Sequence, residues 1–468
     1  MLIDLRTPDG AHKSGKHYIN LLWGRPAPSL LPISELADAS RAVFADETTA
    51  IECLEYNENR GHFALRRELS QWLGRFYSAT TTPEQLCITG GASQSLATIL
   101  QIVTDPLVTE AVWMIEPCYF QACRVFEESG LTGKLRPVQE DEQGNIDLEY
   151  LERKLVESET SNTKTLDPKT KPVDPSRRLY RHVIYVVPTF SNPAGAVMPL
   201  ENRQRLVALA RAHDALIISD DVYDVLQWST GEAPLSGSTL SPSFSQSQLP
   251  RLIDIERQLP NLPSDPQDFG HVPSNATFSK LIAPGLRCGW VDGSEKITSA
   301  LSNAGSTRSG GCPSGIVAPM VANLLQNGSF ERHIRDALIP AYARRRSKIV
   351  DAIRTYLTPL GFKLGPEDVA ASEHAHAQSN VVGGFFLWLR LPPGLKSRKV
   401  VKKAVEEENL DLLPGAACAI VGQPAANIDN LDSHIRLCFS LAEEQDLSEG
   451  MLRLRDVAQR LQQELTGP

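Results

Sequence analysis

The chain has 468 residues, 41% of them hydrophobic and 22% charged, which is enough to bury a large core and to divide into two lobes. Its formal net charge of −9 is spread along the sequence, and the absence of a long Lys/Arg block excludes a nucleic-acid footprint. No apolar run approaches the roughly 20 residues that span a bilayer, which excludes a membrane helix.

Residues 1–19 are polar and lack the apolar centre of a signal peptide. Eight scattered cysteines, with no Cys-x-x-Cys pair, read as reduced buried thiols rather than disulfides or metal ligands, and a reducing cytoplasmic setting is expected. From about residue 86 to 291, short β-branched runs alternate with helical stretches. Leu86-Cys87-Ile88-Thr89 is a predicted strand, joined to a helix by Gly90-Gly91-Ala92-Ser93-Gln94. Glycines at such a junction let backbone amides approach an anion, and the helix N-terminus adds a favourable dipole, although such turns also occur without ligands. Residues 112–115 form the next strand and lead to Glu116-Pro117-Cys118-Tyr119, whose aromatic either joins the core or stacks on a ligand.

Residues 182–187 are a further strand, followed by the turn-forming Asn192-Pro193-Ala194-Gly195 and a helix over 200–213. The apolar strand 215–219 ends in Asp220-Asp221-Val222-Tyr223. Carboxylates at the exit of a buried strand are unfavourable unless paired, and a helix N-cap would explain only one of them. Strand–helix alternation of this kind predicts an α/β fold with a mainly parallel sheet and ligands at the carboxyl ends of its strands. Two stretches lack periodicity, at 157–179 and 229–273. The first reads as a solvated insertion, and the second as either a lid or an inert insertion.

Thr277-Phe278-Ser279-Lys280-Leu281-Ile282-Ala283-Pro284-Gly285-Leu286-Arg287 follows a short strand at 275–278. A lysine here, flanked by hydroxyls and followed by an arginine, is either a surface lysine beside a turn or a carbonyl-trapping amine whose deprotonation a nearby cation favours. Arginine and hydroxyls together suit a phosphate. Beyond residue 325 the character changes. Residues 330–357 read as one long charged helix, and 383–389 and 434–441 as strands of a smaller α+β lobe. Arg436 is set in the otherwise apolar Ile435-Arg436-Leu437-Cys438-Phe439-Ser440, where it wants a carboxylate, either internal or from a ligand.

In order along residues 18–442, these segments resemble the class I/II aminotransferases, pyridoxal-phosphate enzymes of fold type I. The Pro-Gly-Leu-Arg form and Pro28-Ser29-Leu30-Leu31-Pro32 are closest to the 2-aminoadipate and aromatic aminotransferase branch. The resemblance implies a fold type I transferase with an N-terminal segment (1–45), a large cofactor domain (46–325) and a small domain (326–468). It makes Lys280 the Schiff-base lysine, Asp220 the partner of the pyridinium nitrogen, and Asn192 and Tyr223 the partners of the phenolic oxygen. Tyr119 would stack on the ring, while Ala92, Ser93, Thr277, Ser279 and Arg287 would hold the phosphate. The Tyr56-Asn57-Glu58-Asn59-Arg60-Gly61…Leu65-Arg66 signature implies a homodimer in which Tyr56 reaches the neighbour's phosphate. Arg436 would take the substrate α-carboxylate. Gly24, in Ile19-Asn20-Leu21-Leu22-Trp23-Gly24-Arg25-Pro26, would let substrate approach, and Arg25 would read a second carboxylate or simply face solvent.

The reaction implied is transfer of an amino group between an α-amino acid and a 2-oxo acid. A PLP lyase, decarboxylase or amine oxidase is the alternative, because the sequence does not fix which Cα bond breaks. The chain also resembles the C-terminal half of certain transcription regulators, but no winged-helix head is expected before Tyr18. One departure stands out: Ala416-Ala417-Cys418 follows Leu413-Pro414-Gly415 where many relatives have a phenylalanine.

Overall fold

Aliphatic runs buried on both faces give parallel strands, and between residues 86 and 292 they build one seven-stranded sheet. Its strands are β1 (Leu86–Thr89), β2 (Ala111–Glu116), β3 (Leu135–Gln139), β4 (His182–Val186), β5 (Ala215–Asp220), β6 (Ser274–Thr277) and β7 (Gly289–Asp292), in the order β1-β7-β6-β5-β4-β2-β3. Every pairing is parallel except those of β7, which runs against both β1 and β6. Every residue of β4 and β5 is buried, and helices such as Ala92–Val103 and Leu200–Ala212 cover the sheet. The computed structural model describes residues 15–140, 145–160, 170–171, 176–229, 247, 249–365, 381–420, 422 and 425–466. Most of the first aperiodic stretch, residues 230–246 and 248 of the second, and the polar start of the chain lie outside these.

A second, antiparallel sheet has the order Lys363–Leu364, Phe386–Arg390, His434–Cys438, Leu413–Pro414. Ile19–Asn20 runs parallel to Leu410–Asp411, so the N-terminal segment is tied to the C-terminal part of the chain. This places Gly24 and Arg25 beside the strand that carries Arg436.

Three local expectations change. The strand expected over 383–389 is two strands: Val381–Gly383 pairs with Gln227–Ser229, and Phe386–Arg390 joins the second sheet. The break sits at Gly384, whose φ of +65° suits glycine. The helix expected over 330–357 widens at Ile334–Leu338 and Ile353–Leu357, and Pro340, with no N–H to give, follows the first widening.

The third change concerns 229–273. From residue 251 onward this stretch is neither lid nor inert insertion. Leu252, Ile253, Ile255 and Val272 enter the core around β4 and β5. Arg251, 1% exposed, forks onto Asp254 and lies 2.9 Å from Asp292, with its guanidinium 4.2 Å from the Tyr77 ring centroid. A buried ion pair of this kind strands a charge if either partner is removed, so the segment is structural.

Candidate active site

Lys280 follows β6 through a turn in which Ile282 N–H donates to Phe278 C=O at 2.8 Å. Its Nζ donates to the Gly24 carbonyl at 2.6 Å and lies 5.9 Å and 5.6 Å from the Tyr223 and Phe385 ring centroids. Burial pulls its pKa down to about 8. Arg436 and Arg287 push the same way, while Cys438 and Asp220 oppose.

Asp220 is the last residue of β5 and is 8% exposed. Tyr185 of β4 donates to its Oδ2 at 2.6 Å, and Asn275 of β6 approaches its Oδ1 at 3.4 Å. Burial raises its pKa to about 7, against the Tyr185 hydrogen bond and the charge of Lys280. Asp221 projects to the opposite face, as adjacent strand residues must, where the hydroxyls of Ser219 and Ser274 hold it.

Helix Ala92–Val103 starts after Gly91, at φ +97°, with no side-chain cap, so its leading N–H groups remain available for an anion. Arg287, itself at φ +47°, lays its guanidinium over this end, with Nη2 donating to Gly90 C=O at 2.9 Å. A Cβ at Gly91 would lie 2.9 Å from that nitrogen. The hydroxyls of Thr277 and Ser279 are 2.8 Å apart, on the strand and turn leading to Lys280.

Arg436, 4% exposed, donates from Nη1 to Asn192 Oδ1 at 2.8 Å and from Nη2 to the Leu22 carbonyl, and lies 4.1 Å over the Phe386 ring. Its Nε is buried without a partner, and among the described residues no carboxylate pairs with it. Among the described residues, no internal salt bridge therefore explains this arginine. The loop presenting Asn192 is held by Arg203, 1% exposed, which donates to the carbonyls of Pro188 and Met198 at 3.0 and 2.9 Å. The Tyr119 hydroxyl donates to Gln121 Oε1 at 2.6 Å, and the phenol feels the charges of Asp220 and Arg436. The Tyr223 ring meets Phe385 and Phe386 edge-on, and any Cβ at Gly24 would collide with Phe386.

Lys280, Asp220, Tyr223, Asn192, Tyr119, Arg436 and Gly24 are thus gathered at the carboxyl ends of the parallel strands, next to the anion cradle of Ala92, Ser93, Thr277, Ser279 and Arg287. Two expected residues stand apart. Tyr56 is 87% exposed, and Arg25 is exposed with its guanidinium 5.7 Å from the Trp23 ring centroid. Sequence reasoning missed Tyr185, Asn275 and Cys438. For Tyr185 the available signal was a single phenol in the aliphatic run His182–Val186. The variant wall at Gly415–Cys418 is a short turn whose Cys418 carbonyl accepts from Cys118 N–H at 3.0 Å. All eight cysteines are buried and none is in a disulfide, and among the described residues no helix is long and apolar enough to cross a membrane.

Pyridoxal phosphate requires an amine, an anion cradle, an acid for its ring nitrogen and a polar partner for its phenolic oxygen. The donor set fits: an amine of depressed basicity, a glycine-shaped cradle that a Cβ would fill, a buried carboxylate, and an amide beside a phenol. Arg436 Nε is left beside this set as a buried donor without a partner.

Residues 28–454 match the family model for aminotransferase class I and II. An uncharacterised protein of Saccharomyces cerevisiae is 30% identical over 92% of this chain and 95% of its own length. Aromatic-amino-acid aminotransferase 1 of Thermococcus litoralis is 26% identical, covering 94% of this chain and 87% of that protein. The crystal structure of a multiple substrate aminotransferase from Thermococcus profundus superposes with a TM-score of 0.72 at 24% identity, covering 96% of this chain and 92% of that one.

Proposed function

The chain belongs to the class I and II aminotransferases and is a pyridoxal-phosphate-dependent transaminase, and on that premise we propose that Lys280 holds the cofactor while Arg436 holds the substrate α-carboxylate. When bound, pyridoxal phosphate supplies an electron sink that makes the Cα proton of an amino acid removable. Asp220 would keep the ring nitrogen protonated, and Asn192 and Tyr223 would hydrogen-bond the phenolic oxygen. Tyr119 covers the ring, and the cradle formed by Ala92, Ser93, Thr277, Ser279 and Arg287 takes the phosphate. With the cofactor bound, the freed Lys280 amine would act as base for the substrate Cα proton and as the acid that returns it, a transfer within reach of one flexible side chain.

The observation that carries this reading is a half-buried lysine of lowered basicity close to a buried arginine that has no carboxylate partner among the described residues. The substrates are therefore an α-amino acid and a 2-oxo acid. Arg25, exposed next to Gly24, would read a second carboxylate only if a substrate carried one out to it, and otherwise faces solvent. The holoenzyme mixed with one amino acid and no oxo acid should convert its cofactor stoichiometrically to the aminated form, read by loss of visible absorbance. Release of ammonia or CO2 instead would indicate a lyase or a decarboxylase, and the same screen across donors ranks side chains.

The working unit is a homodimer in a cytoplasmic setting, with the division at residues 45/46 and 325/326. Ile33, Ile51 and Leu54 are 69%, 53% and 63% exposed, with Phe44 and Phe63 also uncovered, apolar side chains that a partner subunit would cover. Tyr56, itself exposed, would donate to the partner's phosphate in such a dimer. Sedimentation should give a dimer, and Tyr56→Phe should weaken cofactor binding by roughly tenfold, the scale of one hydrogen bond to a charged group. Mixing Lys280→Ala with Tyr56→Phe subunits should restore one native site per hybrid dimer. A monomer of full activity would rule the arrangement out.

A further inference from the structure

Tyr185 has no part in the assignments above, yet it makes the shortest contact to Asp220 that carries a proton. It pairs across the sheet with Ile218 of β5, two residues before Asp220 and on the same face. The phenol therefore reaches along the strand and places its Oη 2.6 Å from Asp220 Oδ2. The ring is 2% exposed and packs edge-on against Phe126 at 5.7 Å, which fixes where the hydroxyl points.

The carboxylate's other donor is weaker. Asn275 approaches Oδ1 at 3.4 Å, divides its amide with the Ala92 carbonyl at 3.0 Å, and accepts from Ser95 on its own oxygen. The remaining groups facing Asp220 are the Lys280 ammonium from the turn after β6, Tyr119 from the loop after β2, Tyr223 from the loop after β5, and Asp221 on its own strand. Of these, Lys280 alone can carry positive charge, and it is the group consumed when cofactor binds. Once that charge is gone, Tyr185 is the fixed donor left to offset the burial of the carboxylate.

We infer that Tyr185 is a positioning residue for transamination: by donating to Oδ2 it keeps Asp220 ionised and leaves Oδ1 for the cofactor's ring nitrogen, and so sets how fully that nitrogen is protonated. This rests on the placement of the ring nitrogen at Asp220 proposed above. A hydrogen bond to the charged form of an acid favours that form, and removing it makes the carboxylate more basic. In Tyr185→Phe the proton between ring and acid shifts toward Asp220, and the electron sink weakens. The Phe126 contact survives in that variant, so packing alone predicts no such shift.

The test uses holoenzyme loaded with cofactor labelled with 15N at the ring nitrogen. Tyr185→Phe should move the 15N resonance from the pyridinium toward the neutral-pyridine position, raise the pH midpoint of the bound chromophore by about one unit and lower kcat by about tenfold, with KM unchanged; one hydrogen bond to a charged group supports this magnitude. Site-specific 3-fluorotyrosine at position 185, which keeps the fold and strengthens the donor, should move the resonance the other way. Asp220→Asn separates the two ideas. If that change leaves the resonance in place, the ring nitrogen is not at Asp220 and both readings fall. If it moves the resonance but neither change at position 185 does, Tyr185 has no such role and only this inference is overturned.

Discussion

Lys280→Ala should lower kcat by about 10⁴-fold or more, because one side chain would supply both the covalent attachment and the proton transfer, the latter alone worth about 10²–10⁴. The same change removes the visible absorbance of reconstituted enzyme and the fluorescent label fixed by hydride reduction. Wild-type apoenzyme adds a pH signature. A neutral amine captures an aldehyde and an ammonium does not, so capture is slow below the folded-state pKa of Lys280 and fast above it. Burial has drawn that pKa to about 8 from the usual lysine range near 10.4. The rate of cofactor capture, followed by stopped-flow absorbance, should therefore rise with a midpoint near pH 8, and the rise should be absent in Lys280→Ala. Full turnover in the alanine variant, with no amine added, would end the assignment of Lys280.

What could be read in the sequence divides by the range of the interaction. Strands buried on both faces announce themselves through aliphatic runs, and β4 and β5 appear within a residue of where the pattern 182–187 and 215–219 puts them. Residues at the ends of those strands, Asn192 and Asp220 among them, follow, because a loop after a parallel strand opens at the carboxyl edge. Longer-range partners do not show. Tyr185 looks like any buried aromatic until β4 and β5 are in register, and nothing in Arg251 tells that it will meet Asp292 forty-one residues later. The core role of 251–273 was hidden for a related reason: its apolar residues are few and sit among Ser, Pro and Gln, so composition pointed to a loop while packing made a wall. The break at Gly384 was obscured by the unbroken apolar letters on its C-terminal side. Exposure of Tyr56 is a fact of the folded chain, and the sequence supplied only its motif.

Arg436→Met should lower kcat/KM for α-amino acids by about 10³-fold while leaving cofactor binding intact, since removing one partner of a buried hydrogen-bonded charge pair costs about 2–5 kcal/mol. The sign of its effect on stability separates function from structure. In this fold the guanidinium is 4% exposed and is held by the Asn192 amide oxygen, the Leu22 carbonyl and the face of Phe386, with Nε unbonded. Dipoles compensate a buried cation less well than a carboxylate does, so the chain sustains an under-paired charge that substrate completes. A methionine of similar length removes that unfavourable charge, and the melting temperature should stay level or rise as activity falls. Lysine offers one compact ammonium in place of a planar fork, so Arg436→Lys should recover only part of the loss. An amine without an α-carboxylate should react alike in wild type and Arg436→Met, because the lost contact is one it never makes. Equal losses for amines and amino acids, together with a lower melting point, would make Arg436 a structural residue and move carboxylate recognition elsewhere in the pocket.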